Sequence, residues 1–368
     1  MSITVYNVKQ GDSFLINNER CLSDVLPLLI DTGYKSQKIH MRLPSSLGDL
    51  AVLITHSHKD HMGGLMDLIA SSSVKVHELF IPWYLPEILE INRILKKDYA
   101  AYKKLSIPKL KSIKVSFLGE GDYVFPTGCD NFKVLNPPKN TKSVFDWFDE
   151  RNPNNDDYSL EGVVRKLNEL GFEIEIEEIV NYVPDFTPEE SSELYQEQAK
   201  QFVIKFFTSM HSFLNSATRN NITSLVRNHL KLLSNHTSIV FKYKCYIDEI
   251  SWLFTGDADI SAFNRMMNGQ YSNYLRADVL KVPHHGSAHN MDLSIVSHIQ
   301  PTYAVISHNN FKSNHIDPHP TTVVLNTLNQ HGVDIFYTND VKKPKFSPPF
   351  STIKSNYHTN FQGLFKFL

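Results

Sequence analysis

The run Thr55-His56-Ser57-His58-Lys59-Asp60-His61-Met62-Gly63-Gly64 sets four metal-binding side chains, His56, His58, Asp60 and His61, within six residues. Imidazole and carboxylate groups suit borderline divalent cations. So dense a set of ligand types is costly to pack without one. Alternate side chains of an extended or turning loop point the same way, so His56 and His58 are expected to grip one ion while Asp60 and His61 face another. Two such ions about 3.5 to 4 Å apart would share a bridging hydroxide, a nucleophile suited to phosphodiesters, lactones, thioesters or amides. Gly63-Gly64 lets the backbone turn tightly into the helix suggested by Leu65, Met66, Leu68 and Ile69.

Strands must position this cluster. Ala51-Val52-Leu53-Ile54 reads as a buried strand that ends on it. Before it, strands are expected over Ile3 to Val8, Ser13 to Ile16 and Leu28 to Ile30, the last ending at Asp31-Thr32-Gly33. After it come Val74 to Ile81, a helix over 86–105, then Val115 to Leu118 and Phe132 to Leu135. Strand texture resumes at Thr237 to Tyr243 and at Trp252 to Thr255, which leads to Gly256-Asp257. Val279 to Val282 leads to Pro283-His284-His285-Gly286-Ser287, and Tyr303 to Ser307 leads to His308. A helix is expected from His319-Pro320, with Pro in its first turn and Val323, Val324 and Leu328 as its buried face. Several strand ends deliver ligand-type side chains, which favours a layered α/β protein with its site at one edge of the sheets.

Residues 141–233 differ in texture. Acidic residues crowd the first half, including Glu173, Glu175, Glu177 and Glu178, and the second half carries Phe202, Phe206, Met210 and Phe213 at helical spacing. We read a partly acidic, mostly helical insertion between two parts of one domain, 1–140 and 234–368. Its apolar stripe is expected to bury against the main body, or to dock a protein partner.

The chain has 368 residues and a formal net charge of −2, which gives no global electrostatic case for a nucleic-acid binder. Cys21, Cys129 and Cys245 form no closely spaced pair, as expected of a reducing compartment. With no signal-peptide pattern and no apolar run of membrane-spanning length, a soluble cytoplasmic protein with no membrane association is the expectation. No phosphate-cradling glycine loop and no G-x-S-x-G elbow occurs.

Asp31, the His56–His61 cluster, Gly256-Asp257 after an apolar strand and the later histidines together resemble the metallo-β-lactamase superfamily. That resemblance implies an αββα sandwich holding one or two metals. More narrowly, Val8-Lys9-Gln10-Gly11-Asp12-Ser13, Asn235-His236-Thr237-Ser238, Leu280-Lys281-Val282-Pro283-His284-His285-Gly286-Ser287 and His319-Pro320 are similar to the hydrolase domain of the ComEC-like branch. The similarity covers most of 1–138 and 235–342. The ComEC membrane helices have no counterpart here, so a role in DNA uptake does not carry over.

The resemblance implies His56, His58 and a further histidine on one ion, with His236 in the corresponding place, or Asn235 instead. It implies Asp60, His61 and a late histidine on the other, and Asp257 as the carboxylate bridging both. Adjacent residues at a strand end face opposite ways, so one of His284 and His285 should meet the second ion. His284 is preferred, His308 competes, and His285 or His319 is then left to protonate a leaving group. Asp31 is expected to orient a metal-binding histidine, Asp12 to serve its turn or the chemistry, and Ser287 and Lys281 to contact substrate. His40, His77, His211, His229 and His331 lie outside these constellations.

The function expected is a metal-dependent hydrolase with two divalent ions, zinc or alternatively manganese. From the resemblance it would be a phosphodiesterase or nuclease acting on DNA or another nucleic acid, with Asp60 in the catalytic set. Basic residues to meet such a substrate are sparse in sequence, the candidates being Lys281, Lys312, Lys342, Lys343 and Lys345. The alternatives are a small-molecule esterase, phosphorylcholine esterase-like or lactonase-like, with Trp83, Tyr84, Trp147 and Phe148 walling its pocket, and an effector subunit activated by a partner.

Overall fold

The computed structural model describes residues 2–17, 25–83, 85, 113–125, 132–139, 234–244, 250–308, 319–339 and 366–367. Strands among them form two sheets, of seven and six members. The first runs, in spatial order, β13 (Lys366–Phe367), β1 (Ser2–Val5), β2 (Phe14–Asn17), β3 (Leu28–Ile30), β4 (Asp49–Leu53), β5 (Lys75–Pro82) and β6 (Lys114–Leu118). The second runs β12 (Asp334–Tyr337), β11 (Tyr303–Ile306), β10 (Val279–Lys281), β9 (Ser251–Phe254), β8 (Val240–Lys244) and β7 (Phe132–Asn136).

Side chains alternate along these strands, and the alternation builds the layers. Ala51 and Leu53 of β4 join Trp252 and Phe254 of β9 in one core fed by both sheets. The Phe254 ring lies 5.0 Å from Phe241, 5.5 Å from Phe14 and 5.5 Å from Trp252, an aromatic seam through that core. The intervening Leu253 faces the other way, with Leu280, Ala304 and Ile306, into a second core beneath α3 (Ile260–Asn268), α4 (Leu293–Ile299) and α5 (Thr322–Gln330). Two shorter helices, α1 (Lys59–Met62) and α2 (Leu65–Ile69), belong to the first half, and α2 packs against β5. The αββα arrangement expected from sequence is the architecture found.

Asp259, Asp292 and Thr321 cap α3, α4 and α5 by accepting from the backbone of Ala262, Ile295 and Val324. The Thr321 cap places the start of α5 after Pro320, not around it. The helix turns Val324 and Leu328 inward, as expected, together with Leu325, and leaves Val323 56% exposed instead of buried.

Strands β3 to β6 are mutually parallel, as are β9 to β12, while β1–β2, β2–β3, β7–β8 and β8–β9 pair antiparallel. Carboxyl ends of parallel strands are where open α/β sheets present their polar groups. Here β3 ends before Asp31, β4 before Thr55-His56, β9 before Gly256-Asp257 and β10 before His284-His285. Asn136, at the end of β7, donates from Nδ2 to the carbonyls of His236 and Ser238 and so fixes the chain entering β8.

The chain divides into two compact units, one of Met1–Pro82, Lys104–Asn136 and Ser234–Leu368, the other of Trp83–Lys103 and Pro137–Leu233. Both sheets and every described candidate site residue belong to the first. In the second, Trp83 is buried and donates from Nε1 to the Pro138 carbonyl. The insertion over 141–233, the helix over 86–105, and Tyr84, Trp147, Phe148, Lys312, Lys342, Lys343 and Lys345 lie outside the described residues. No helix among those described is long and apolar enough to cross a membrane.

Candidate metal centre

Asp257 is buried at the focus of the edge just described. Its Oδ2 lies 3.6 Å from His56 Nε2, and its Oδ1 lies 3.3 Å from His61 Nε2. The same Oδ2 is 3.8 Å from His284 Nε2 and 3.9 Å from His285 Nε2. His285 Nε2 is also 3.5 Å from Asp60 Oδ2. Ligand-type atoms of His56, His61 and Asp257 lie within 4.8 Å of one another, as do those of Asp60, His61 and His285. His58 stands with its ring 4.7 Å from that of His56.

Hydrogen bonds fix which ring nitrogen faces the focus. Asp31 accepts from His61 Nδ1 at 2.8 Å, and from the Thr55 amide and hydroxyl at 2.8 and 2.7 Å. With its proton given to Asp31, the Thr55 hydroxyl accepts from His56 Nδ1 at 3.1 Å. One buried carboxylate thus orients two histidines, one directly and one through a hydroxyl. His285 Nδ1 donates to the Ser307 carbonyl at 2.9 Å, and His236 Nδ1 to Asp259 Oδ1 at 2.8 Å. In the neutral form of each ring the remaining Nε2 carries the lone pair.

His56, His58, His61 and His285 all hold a buried Nε2 that makes no hydrogen bond among the described residues, and Asp257 Oδ1 makes none either. Buried polar atoms without partners are rare and call for an explanation. A divalent cation supplies one, since lone pairs and carboxylate oxygens are its ligands, and the donor set therefore fits the metal expected from the sequence.

The electrostatics divide the histidines: burial opposes charge on His61 and His285, but the neighbouring Asp257 outweighs it and raises both above the usual histidine range, so they favour the charged form until a cation takes the place of the proton. Burial pushes His58 down to about 4, and burial with the neighbouring His61 keeps His56 well below the usual histidine range. Both rings are then neutral, the form that binds metal. Burial opposes ionisation of Asp60, but the nearby His285 ring and the charge of His61 outweigh it and hold the carboxyl below the usual carboxylate range.

The pair His284-His285 departs from expectation. Both residues have left-handed backbone, φ 45° and 55°, which breaks strand alternation and turns both rings toward Asp257. His285 is fully buried, whereas the His284 side chain is 28% exposed and donates from Nδ1 to Asn290. His319 lines the same side, its ring 5.3 Å from that of His284. Burial pulls it down to about 4. His308 is turned elsewhere, donating from Nε2 to the Asn339 carbonyl.

Lys281 and Ser287 do not present themselves to a substrate. They are 1% and 2% exposed; Lys281 donates to the Gly256 carbonyl and pairs with Asp12, and the Ser287 hydroxyl accepts from the His289 amide. Of the peripheral histidines, His77 pairs with Asp49 and His331 with Ser297, while His211 and His229 lie outside the described residues.

Asp12, left open between its turn and the chemistry, has its partners far away in sequence. The sequence reading missed Thr55, which follows an apolar strand, and the exposed Lys9, Lys35 and Lys59 beside the cluster. They ride on three loops tied by backbone bonds: Asp12 N to Asp60 O, Gly33 N to Asp12 O, Thr32 N to His61 O and Gly64 N to Gly33 O. Adjacency to the motif residues was the signal.

Asp31→Asn retains shape but replaces one accepting oxygen with a donor, so it cannot serve His61 and Thr55 together. Metal affinity is expected to fall on the order of 10- to 100-fold, read by chelator competition, with the fold retained by circular dichroism.

Residues 6–129 match the family described as the metallo-beta-lactamase superfamily. Over 90 residues the chain is 34% identical to ComE operon protein 3 of Bacillus subtilis (strain 168). That stretch is 24% of this chain and 11% of that protein, so the chain matches only about a tenth of its relative's length.

Proposed function

From the premise that this chain carries the metallo-β-lactamase fold, we propose that it is a metal-dependent phosphodiesterase acting on nucleic acid. The observation that carries the hydrolase reading is the convergence of unbonded, buried imidazole nitrogens on Asp257. We assign His56, His58 and Asp257, with His236, to one ion, and Asp60, His61, His285 and Asp257 to the other. When bound, two divalent ions would supply an activated water and neutralise charge on the attacked phosphate. Zinc is the ion we expect at this thiolate-free set, with manganese the alternative.

This chain's own residues do the rest. His285, pinned by the Ser307 carbonyl and buried, suits a ligand better than a proton donor, which reverses the preference between the adjacent pair. His284, partly exposed and aimed by Asn290, and His319 beside it stand on the open side; burial lowers both rings, and the charge of a bound phosphate would counter this, letting them hydrogen-bond it and pass a proton to the departing oxygen.

The nucleic-acid reading draws support from the similarity to the ComEC-like branch and from the loops that carry the cluster. Lys9, Lys35 and Lys59 expose ammonium groups on them, and Tyr34 on the second loop leaves part of its ring in solvent. Burial, and then the negative charge of Asp60, raise the Tyr34 hydroxyl above its ordinary value, which places that ring within electrostatic reach of the cluster. Cations bind phosphates and an exposed aromatic ring stacks a base, the pairing used on single strands.

The test is cleavage of labelled single- and double-stranded DNA and RNA by zinc- or manganese-loaded protein, beside chromogenic esters and a His58→Ala control. Metal-dependent cleavage of nucleic acid that the control lacks is expected. Turnover of esters alone would replace this reading with the small-molecule one.

A further inference from the structure

Lys281 is a charged residue in a hydrophobic place. On β10, Val279 joins the core between the sheets and Leu280 the core beneath the helices, so alternation returns Lys281 to the inter-sheet side. Its side chain is 1% exposed, and its Nζ meets three oxygens from both sheets. It donates to the Gly256 carbonyl at 2.7 Å, pairs with Asp12 Oδ2 and lies 3.8 Å from Asp257 Oδ1.

Asp12 extends this arrangement beneath the histidines. Its Oδ2 is 3.7 Å from His61 Nδ1, and its Oδ1 is 3.9 Å from His285 Nδ1. Ligand-type atoms of Asp12, Asp31 and His61 also lie within 4.8 Å of one another, so donor types alone would make a third cation pocket there. The ammonium of Lys281 already sits on Asp12.

We propose that Lys281 is a built-in cation that positions Asp257 from below, neutralises Asp12 and confines divalent ions to the two places around Asp257. A buried ion pair gives little stability over apolar residues of similar volume, so stability alone is a weak reason for this one. Its contact with the shared carboxylate supplies another. Lys281 touches no substrate in this arrangement and acts as a positioning residue. The inference rests on Asp257 as a metal ligand and is independent of the substrate proposed above.

The experiment uses the full chain stripped with chelator and reloaded with cobalt(II), comparing wild type, Lys281→Met and Asp12→Asn/Lys281→Met. The double variant removes both charges together, so it leaves no buried carboxylate unpaired if the single one fails to fold. Affinity is read by chelator competition, stoichiometry by elemental analysis, geometry by the visible cobalt spectrum, and folding by circular dichroism. Affinity lower on the order of 10- to 100-fold with shifted cobalt bands is expected in whichever variants fold. A folded variant with the wild-type spectrum, affinity and stoichiometry would overturn the proposal, leaving Lys281 a packing residue. Because no substrate is present, failure to cleave nucleic acid would not bear on this outcome.

Discussion

Asp257→Asn is expected to lower metal-dependent turnover by about 10³-fold or more while the protein remains folded. The amide keeps the volume of the carboxylate but removes the charge on which His56, His61, His284 and His285 converge. Several kcal/mol of charge stabilisation at the reacting group depend on ions held there, and each 1.36 kcal/mol is tenfold in rate. Burial raises the carboxyl of Asp257, and the charge of His61, with the imidazoles around it, more than reverses this, so it is ionised in the folded protein. Elemental analysis and single-turnover rates read the two halves of this expectation. Full metal content with near-wild-type turnover would remove Asp257 from the centre of the site.

The second large effect concerns a residue without a side chain. Gly11 has φ +111°, and a Cβ added there would lie 2.1 Å from the Asp60 carbonyl oxygen. That contact is backbone, so no side chain can swing away. Positive-φ strain and the forced separation of two loops together are expected to destabilise Gly11→Ala by on the order of 3 kcal/mol or more. The displaced loop carries Asp60 and His61, so metal affinity should fall as well. Gly48→Ala is the comparison, since its φ of +63° brings only the milder left-handed strain and nothing lies within 4 Å of its Cβ position. Urea unfolding of the two variants gives the excess loss due to the contact and the larger strain at Gly11. Equal losses would show that the approach of the first turn to the metal loop is unimportant.

The histidine motif was legible because its ligands are local: residue type and spacing suffice when four ligands share one loop. The sheets were legible from alternation, as in Trp252-Leu253-Phe254, whose neighbouring side chains enter different cores. Register of function across the sheets was not. Lys281 reads as a cation for substrate because the sequence cannot show that Asp12 and Gly256 enclose it. The adjacent histidines read as opposed because alternation presumes extended backbone, and two successive left-handed residues cancel it. Val323 was placed inward because two adjacent valines do not say which of them takes the buried side; Val324 does, four residues before Leu328 on one face.

Strands β7 and β8 are hydrogen-bonded neighbours, and Asn136 ties the end of one to the residues entering the other. The chain therefore departs from the second sheet after β7 and rejoins it at β8 through a single gate, whatever lies between. Closing a longer flexible loop costs only about 0.6 kcal/mol per doubling of its length. The sandwich is thus nearly indifferent to how much chain is inserted at that gate. Selection could lengthen, replace or exchange the excursion as a cassette while the metal edge stayed in register.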